Sequence, residues 1–225
     1  MKPNREEGVI RRNKIVIGMA ICASIIALLA IGEKKMNTQA GDQFLQEELL
    51  PPEIAKMTLE EFLESDLEGY EYVRGELVPM PPTSGEHGRI SVNLILPLGL
   101  YVRENRLGDI YVSETGFSVG ERVLVPDIAF LSTDHIPADL SKVFPIPPDL
   151  AIEVVSPTDA SHRVEEKAFT YLEAGTQLVW VLKPLSKTVT VYRSETDITL
   201  LTRDDTLTGE NVVEGFSCQV AELFE

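Results

Sequence analysis

From Met57 onward, apolar residues recur in two rhythms, one of period near 3.6 and one of period two. Leu59, Phe62 and Leu63 fall at helical spacing behind Thr58, a residue type that caps helix starts, with Glu60 and Glu61 in the first turn. The spacing predicts a short helix. Tyr70–Met80 reads as a strand or hairpin turning at Gly75, and Pro81, Pro82 and Gly85 break it off. From His87 to about Asn105, Ile90, Leu94, Leu98 and Tyr101 return to helical spacing, and Pro97 predicts a kink in that helix or its early end. Ile110–Val112 and Val123–Leu131 read as strands, 132–149 as a loop rich in Pro, Ser and Asp, and Leu150–Val155 as a buried strand. Ser156-Pro157 carries the cap-and-proline signature of a helix start, and Gly175 is the matching stop. Leu178–Leu182 and Thr188–Arg193 predict two more strands, and residues 196–225 a small hairpin with a packed final segment. This order predicts a mixed α/β domain built on one central sheet.

The residues before Met57 follow another pattern. Ile15–Gly32 is an uncharged run of eighteen residues, preceded by Arg11, Arg12 and Lys14 and followed by Glu33, Lys34 and Lys35. It is long enough to cross a hydrocarbon core of about 30 Å as an apolar helix. Its basic flank favours a cytoplasmic N-terminus. Such a membrane anchor has two rivals: a signal peptide, although no clear small-residue cleavage site follows, and an extension upstream of a true start at Met57. Residues 36–56 are polar, then acidic, and carry Pro51-Pro52, which reads as a linker. The chain thus divides into 1–35, 36–56 and 57–225.

Composition narrows the function. In 225 residues, Lys plus Arg number 20 and Asp plus Glu 36, a net charge of −16. With 44% hydrophobic and 25% charged residues, the chain is neither disordered throughout nor a polytopic membrane protein. So acidic a chain does not coat nucleic acid by charge alone; action on DNA would need bound divalent cations and a local basic strip. Cys22 and Cys218 are too few for a disulfide framework or a multi-cysteine zinc site, and His87, His135 and His162 lie far apart.

Three charged residues interrupt the pattern where it should be most apolar. Asp127 lies inside Val123–Leu131, and Glu153 inside Leu150–Val155, on the face of Ala151 and Val155. Lys167 falls with Val164, Ala168 and Tyr171 on or beside one stripe of the following helix. A buried carboxylate without a partner costs several kcal/mol. Two carboxylates and an ammonium lower that cost together, and a divalent cation lowers it further, since Mg²⁺ prefers hard oxygen ligands and acidifies bound water. The trio therefore suits a phosphodiester-cleaving centre. The same residues also suit a partly buried Glu–Lys ion pair, with Asp127 merely bonding a turn after Pro126.

The residues Pro126-Asp127, Glu153-Val154-Val155-Ser156-Pro157, Lys167, Tyr171 and Gly175 resemble the PD-(D/E)XK nuclease superfamily. More narrowly, they resemble the Uma-type endonuclease family, long catalogued as a domain of unknown function. Met57–Phe62, Gly75–Val78, His87 at a helix start, Leu178–Val181, Val189–Tyr192, Asp205 through Gly209, Gly215-Phe216 and Leu223-Phe224 extend the likeness across about 57–225. The resemblance implies a restriction-endonuclease-like core, a mixed sheet flanked by helices with a Mg²⁺ site (Mn²⁺ an alternative) where the sheet splits. Asp127 and Glu153 would be ligands, joined by the backbone carbonyl of Val154. The superfamily lysine two residues after the glutamate is Val155 here, and Lys167 on the next helix would take its place. Arg163 and Lys183 stand where acidic residues are common in relatives.

Glu76 is a candidate extra acidic ligand, Glu71 a similar one, and His87 a candidate base or phosphate contact. The competing readings are exposed hairpin glutamates and a histidine that caps or packs. Tyr171 and Trp180 read as core. Arg89, Arg103 and Arg106 would form a phosphate-contacting strip or simply a solvated face. The expected function is metal-dependent DNA endonuclease, with a homodimer if both strands are cut and a cytoplasmic location for the nuclease-like domain. The alternative is a catalytically inactive module of the same fold that binds nucleic acid or protein. An anchor at Ile15–Gly32 with its N-terminus inside would instead carry the domain away from DNA.

Overall fold

The computed structural model describes residues 56–156 and 161–225. The apolar run Ile15–Gly32, the linker and the proposed helix start at Ser156-Pro157 lie wholly or partly outside the described residues. Among the described residues, no helix is long and apolar enough to cross a membrane.

The described chain opens with helix α1 (Leu59–Glu64), where Thr58 and Glu61 cap each other's backbone N–H groups. A hairpin of β1 (Tyr70–Val73) and β2 (Glu76–Pro79) follows, then the long helix α2 (Gly85–Asn105). Next come β3 (Gly108–Val112), β4 (Phe117–Val119), β5 (Arg122–Leu124), β6 (Ile128–Ser132), β7 (Leu150–Val154), helix α3 (Ser161–Glu173), β8 (Leu178–Lys183) and β9 (Thr188–Tyr192). The chain closes with β10 (Ile198–Leu201), β11 (Thr206–Thr208), β12 (Ser217–Gln219) and a short helix, α4 (Val220–Leu223).

Six strands form the central sheet in the order β10-β9-β8-β7-β6-β3. Only β7 and β8 run parallel, joined through α3, so the sheet is mixed. A second, antiparallel sheet has the order β2-β1-β5-β4, and β11 pairs with β12 alone. The period-two rule sorts β7. Leu150, Ile152 and Val154 pack with Leu94, Leu98 and Val102 of α2. Ala151 packs with Ala168 and Tyr171 of α3. The sheet is therefore covered by a helix on each face.

Four expectations change. Val123–Leu131 is two strands, not one: β5 belongs to the smaller sheet and β6 to the larger, with Val125-Pro126-Asp127 crossing between them. Pro126 has no N–H with which to continue a ladder. Pro97 does not end α2, which runs on to Asn105, because Leu94, Leu98 and Val102 on either side of it are buried and hold the helix against the sheet. Phe117–Val119 is a strand that the pattern did not reveal. The tail gives the expected hairpin at β11–β12, but β10 joins the edge of the central sheet. Gly175, at φ +111, does end α3.

Candidate functional site

Asp127 stands at the residue before β6, and Glu153 is the penultimate residue of its antiparallel neighbour β7. The pairing of Ile128 with Ile152 brings the two acids level where the ladder ends. Beyond that level, the N–H of Val154 donates to Asp127 Oδ2 at 2.7 Å. A side chain thus takes the place of a strand's backbone as acceptor. The same oxygen accepts from His87 Nε2 at 3.0 Å, so that nitrogen carries the proton. His87 is buried in the first turn of α2, where its own N–H donates to the Ser84 cap at 3.2 Å.

Lys167 reaches the site from α3. Its ammonium lies 2.8 Å from Glu71 Oε1 and 2.9 Å from Glu153 Oε1, and it donates to the Val125 carbonyl at 3.3 Å. Three acceptors use its three donors. Four residues along the same helix face, Tyr171 donates its hydroxyl to Glu153 Oε1 at 3.1 Å. Glu71, on β1, also accepts from the N–H of Val125 at 2.9 Å, which ties the hairpin to the crossing segment. The side chains of Glu153 and Glu71 are only 12% and 13% exposed, so water does little to screen them.

Burial, reinforced by the negative charges of Asp127 and Glu71, pushes the Glu153 carboxyl up to about 8 despite Lys167 beside it. Burial by itself would lower the Lys167 ammonium, but Glu153 and Glu71 raise it above its ordinary value, so it stays charged. Burial and Glu153 together raise the Tyr171 phenol, which stays neutral and donates.

Asp127, Glu153 and Lys167 are thus brought together, and His87 and Glu71 join them. Glu76 is not: it is exposed on β2 opposite Val73, and no hydrogen bond or ion pair links it to these side chains. Val154 touches Asp127 through its N–H. Sequence reasoning treated Tyr171 as core, which its ring is, and gave its hydroxyl no role. It missed Asp149 altogether. That carboxylate, buried just before β7, accepts from Ser132 N–H at 2.8 Å, His135 Nδ1 at 2.7 Å and Gln177 Nε2 at 3.1 Å. Following Pro147-Pro148, it carried no signal beyond a loop.

The donor chemistry fits a hard divalent cation in kind: three carboxylates face one ammonium, which leaves surplus negative charge and oxygen ligands. The bonds above use one oxygen of each, Asp127 Oδ2, Glu153 Oε1 and Glu71 Oε1. The side chains do not yet close on a common point, however. Among the described residues no three His, Cys, Asp or Glu are grouped so as to hold a metal ion, and the Lys167 ammonium sits between two of the acids.

The chain was compared with known families and solved structures. Residues 58–221 match the Uma2 family model, described as "Putative restriction endonuclease". Among solved structures, the chain is similar to a protein from Anabaena variabilis described as a "putative nuclease belonging to DUF820", with 25% identity and a TM-score of 0.69, covering 75% of this chain and 97% of that one. No curated protein matches the chain.

Proposed function

Because the chain belongs to the Uma2 family, and because Asp127, Glu153 and Lys167 meet at one end of its central sheet, we propose that it is a metal-dependent DNA endonuclease. The observation that carries this reading is the sharing of one ammonium by two part-buried carboxylates beside a third. Nothing in a stable core requires three acids there, and such groupings of perturbed acids characterise working sites.

In this reading Asp127 and Glu153 hold Mg²⁺ or Mn²⁺ with the Val154 carbonyl, and Glu71 adds a further oxygen. The cation, when bound, polarises the phosphate and acidifies water. The chain's own groups have separable tasks. His87 and the Val154 N–H fix the orientation of Asp127. Tyr171 fixes Glu153. Lys167, held in its charged form, does not accept a proton from water; it donates, orienting the attacking water or the phosphate oxygen. Glu153 must lose its proton before both its oxygens can serve as ligands, so cation binding strengthens as the pH rises toward about 8.

A second reading, a catalytically silent module of the same fold, is favoured by the Lys167 ammonium already seated between Glu71 and Glu153. Plasmid nicking in Mg²⁺ or Mn²⁺, with calorimetry of the same cations, separates the two. An endonuclease binds the cation and nicks DNA, and Asp127→Asn and Glu153→Gln each cut the rate by about 100-fold or more. Cleavage that survives both substitutions overturns the assignment, and absence of both binding and nicking establishes the silent module.

A further inference from the structure

A cavity of about 290 Å³ opens beside the candidate site, on the face of the central sheet that α3 covers. The elements that supply the site also supply its walls. Val155 follows Glu153 by two residues and so shares its face of the sheet. Val181, on β8, is the register partner of Glu153. Val164 lies one turn before Lys167 on α3, and Glu86 directly precedes His87 on α2. Neighbouring strands are about 4.8 Å apart, so a phosphate held at Glu153 and Lys167 lies within one nucleotide of this cavity.

Tyr192 completes the wall from β9. It is 4% exposed, and its ring stands edge-on to Phe169 of α3 at 5.8 Å. Among the described residues its hydroxyl has no hydrogen-bond partner. A hydroxyl so deeply buried is ordinarily bonded. Burial and the negative charge of Glu165, which also lines the cavity, raise the phenol above its ordinary value. The hydroxyl therefore keeps its proton and offers a donor beside that carboxylate. Glu86 and Glu165 are exposed at the mouth, and Lys183 lines it with them.

This lining selects a neutral, flat, part-polar group. The two carboxylates turn a phosphate away but accept from an N–H, and the apolar walls and the tyrosine ring suit the faces of an aromatic ring. A volume near the lower end for ligand pockets, about 300 Å³, suits one ring system. Every nucleobase carries a donor beside an acceptor on its pairing edge, which the Tyr192 hydroxyl and a carboxylate can meet together. In a duplex that edge is already taken. We propose that the cavity receives one unpaired base beside the phosphate at Glu153 and Lys167, so that the preferred substrate is DNA with an unpaired nucleotide there. The proposal rests on the endonuclease reading for the nature of the substrate. Leu185, on the turn between β8 and β9, stands at the rim and is 89% exposed, an apolar group of the kind that wedges between base steps of an opened duplex.

Fluorescence anisotropy of labelled duplexes tests this in the full chain, in mild detergent with Ca²⁺ as the oxygen-seeking cation. A duplex with one bulged nucleotide should bind about 10-fold tighter than the same duplex fully paired, whichever base is bulged. Tyr192→Phe should lower that preference about 5-fold and leave melting unchanged, since the hydroxyl has no partner in the free chain to lose. Val164→Phe, which fills the cavity from α3, should remove the preference. Neither substitution should alter binding of the paired duplex. Irradiation with 5-iodouracil at the bulge should join the DNA to the peptide that carries Tyr192. Equal affinity for the two duplexes, a preference that survives both substitutions, or an adduct mapped away from the cavity overturns the proposal. Nicking is read separately in Mg²⁺, and its absence with the bulge preference intact overturns catalysis alone and supports the base site.

Discussion

At one end of β6 and β7, the Asp149 carboxylate is buried among donors: a backbone N–H, an imidazole and a side-chain amide. Burial pushes that acid up, but hydrogen bonds from Ser132 and His135 more than offset it and leave it below its ordinary value. At the other end of the same strands, Glu153 is buried among acids, and its carboxyl rises to about 8. The first arrangement is satisfied by the chain itself and fastens the strand ends to residues 132–135 and 177. The second is only part-neutralised by Lys167 and keeps affinity for a cation or a proton. A sheet can therefore be locked at one end and left with unmet electrostatic demand at the other, and it is the unmet demand that points to chemistry.

Removing Lys167 gives the sharpest test of that difference. Lys167→Met leaves Glu71 and Glu153 without their counter-charge and should cost about 3–5 kcal/mol, read from urea unfolding above pH 8. Glu153→Gln in the same chain should restore most of the loss, and a double-mutant cycle without coupling would break the comparison. Asp149→Ala should cost less, about 2–3 kcal/mol in thermal denaturation, through donors left without an acceptor. A loss as large as that of Lys167→Met would show that the two ends are equally loaded.

The two acids should also respond to pH with opposite sign. The folded-state pKa of Glu153 lies above its unfolded value of 4.5, so its contribution favours folding at low pH and is lost as pH rises from 4.5 through about 8. The folded-state pKa of Asp149 lies below 3.8, so its contribution is present above that pH and is lost as pH falls through the lowered value. Urea midpoints across pH should therefore decline on both limbs, and Glu153→Gln should flatten the alkaline limb alone. An unaltered alkaline limb would mean that Glu153 is already ionised in the folded chain. The smallest effect is expected for His135→Ala, about 0.5–1 kcal/mol, since that ring is half-exposed and water can replace it.

How much of this was legible depended on burial. Strands β6, β7 and β8 showed as apolar runs because both faces of the central sheet are covered; Asp127 and Glu153 showed because they interrupt such runs, and Lys167 because it falls on a helix's apolar stripe. Glu71 and Glu76 belong to a half-exposed hairpin, where a glutamate reads the same whether it faces water or a lysine. Only the docking of β1 onto β5 turns Glu71 inward toward Lys167 and leaves Glu76 outside. The division between β5 and β6 was hidden because Val-Leu-Val and Ile-Ala-Phe-Leu read as one apolar stretch, and the change of sheet at Pro126 is a tertiary event. Tyr171 illustrates a further limit, since an aromatic residue on a buried stripe gives no sign of what its hydroxyl will meet.

The bond from the Val154 N–H to Asp127 has a practical corollary for mutagenesis. That carboxylate is a rung of the sheet as well as a member of the charged cluster. Truncation to alanine unfastens the junction of two strands, so an inert alanine variant reports on architecture as much as on reactivity. Asparagine keeps one oxygen to accept the Val154 N–H and discards the charge and the second oxygen, which makes it the substitution from which a chemical role can be inferred.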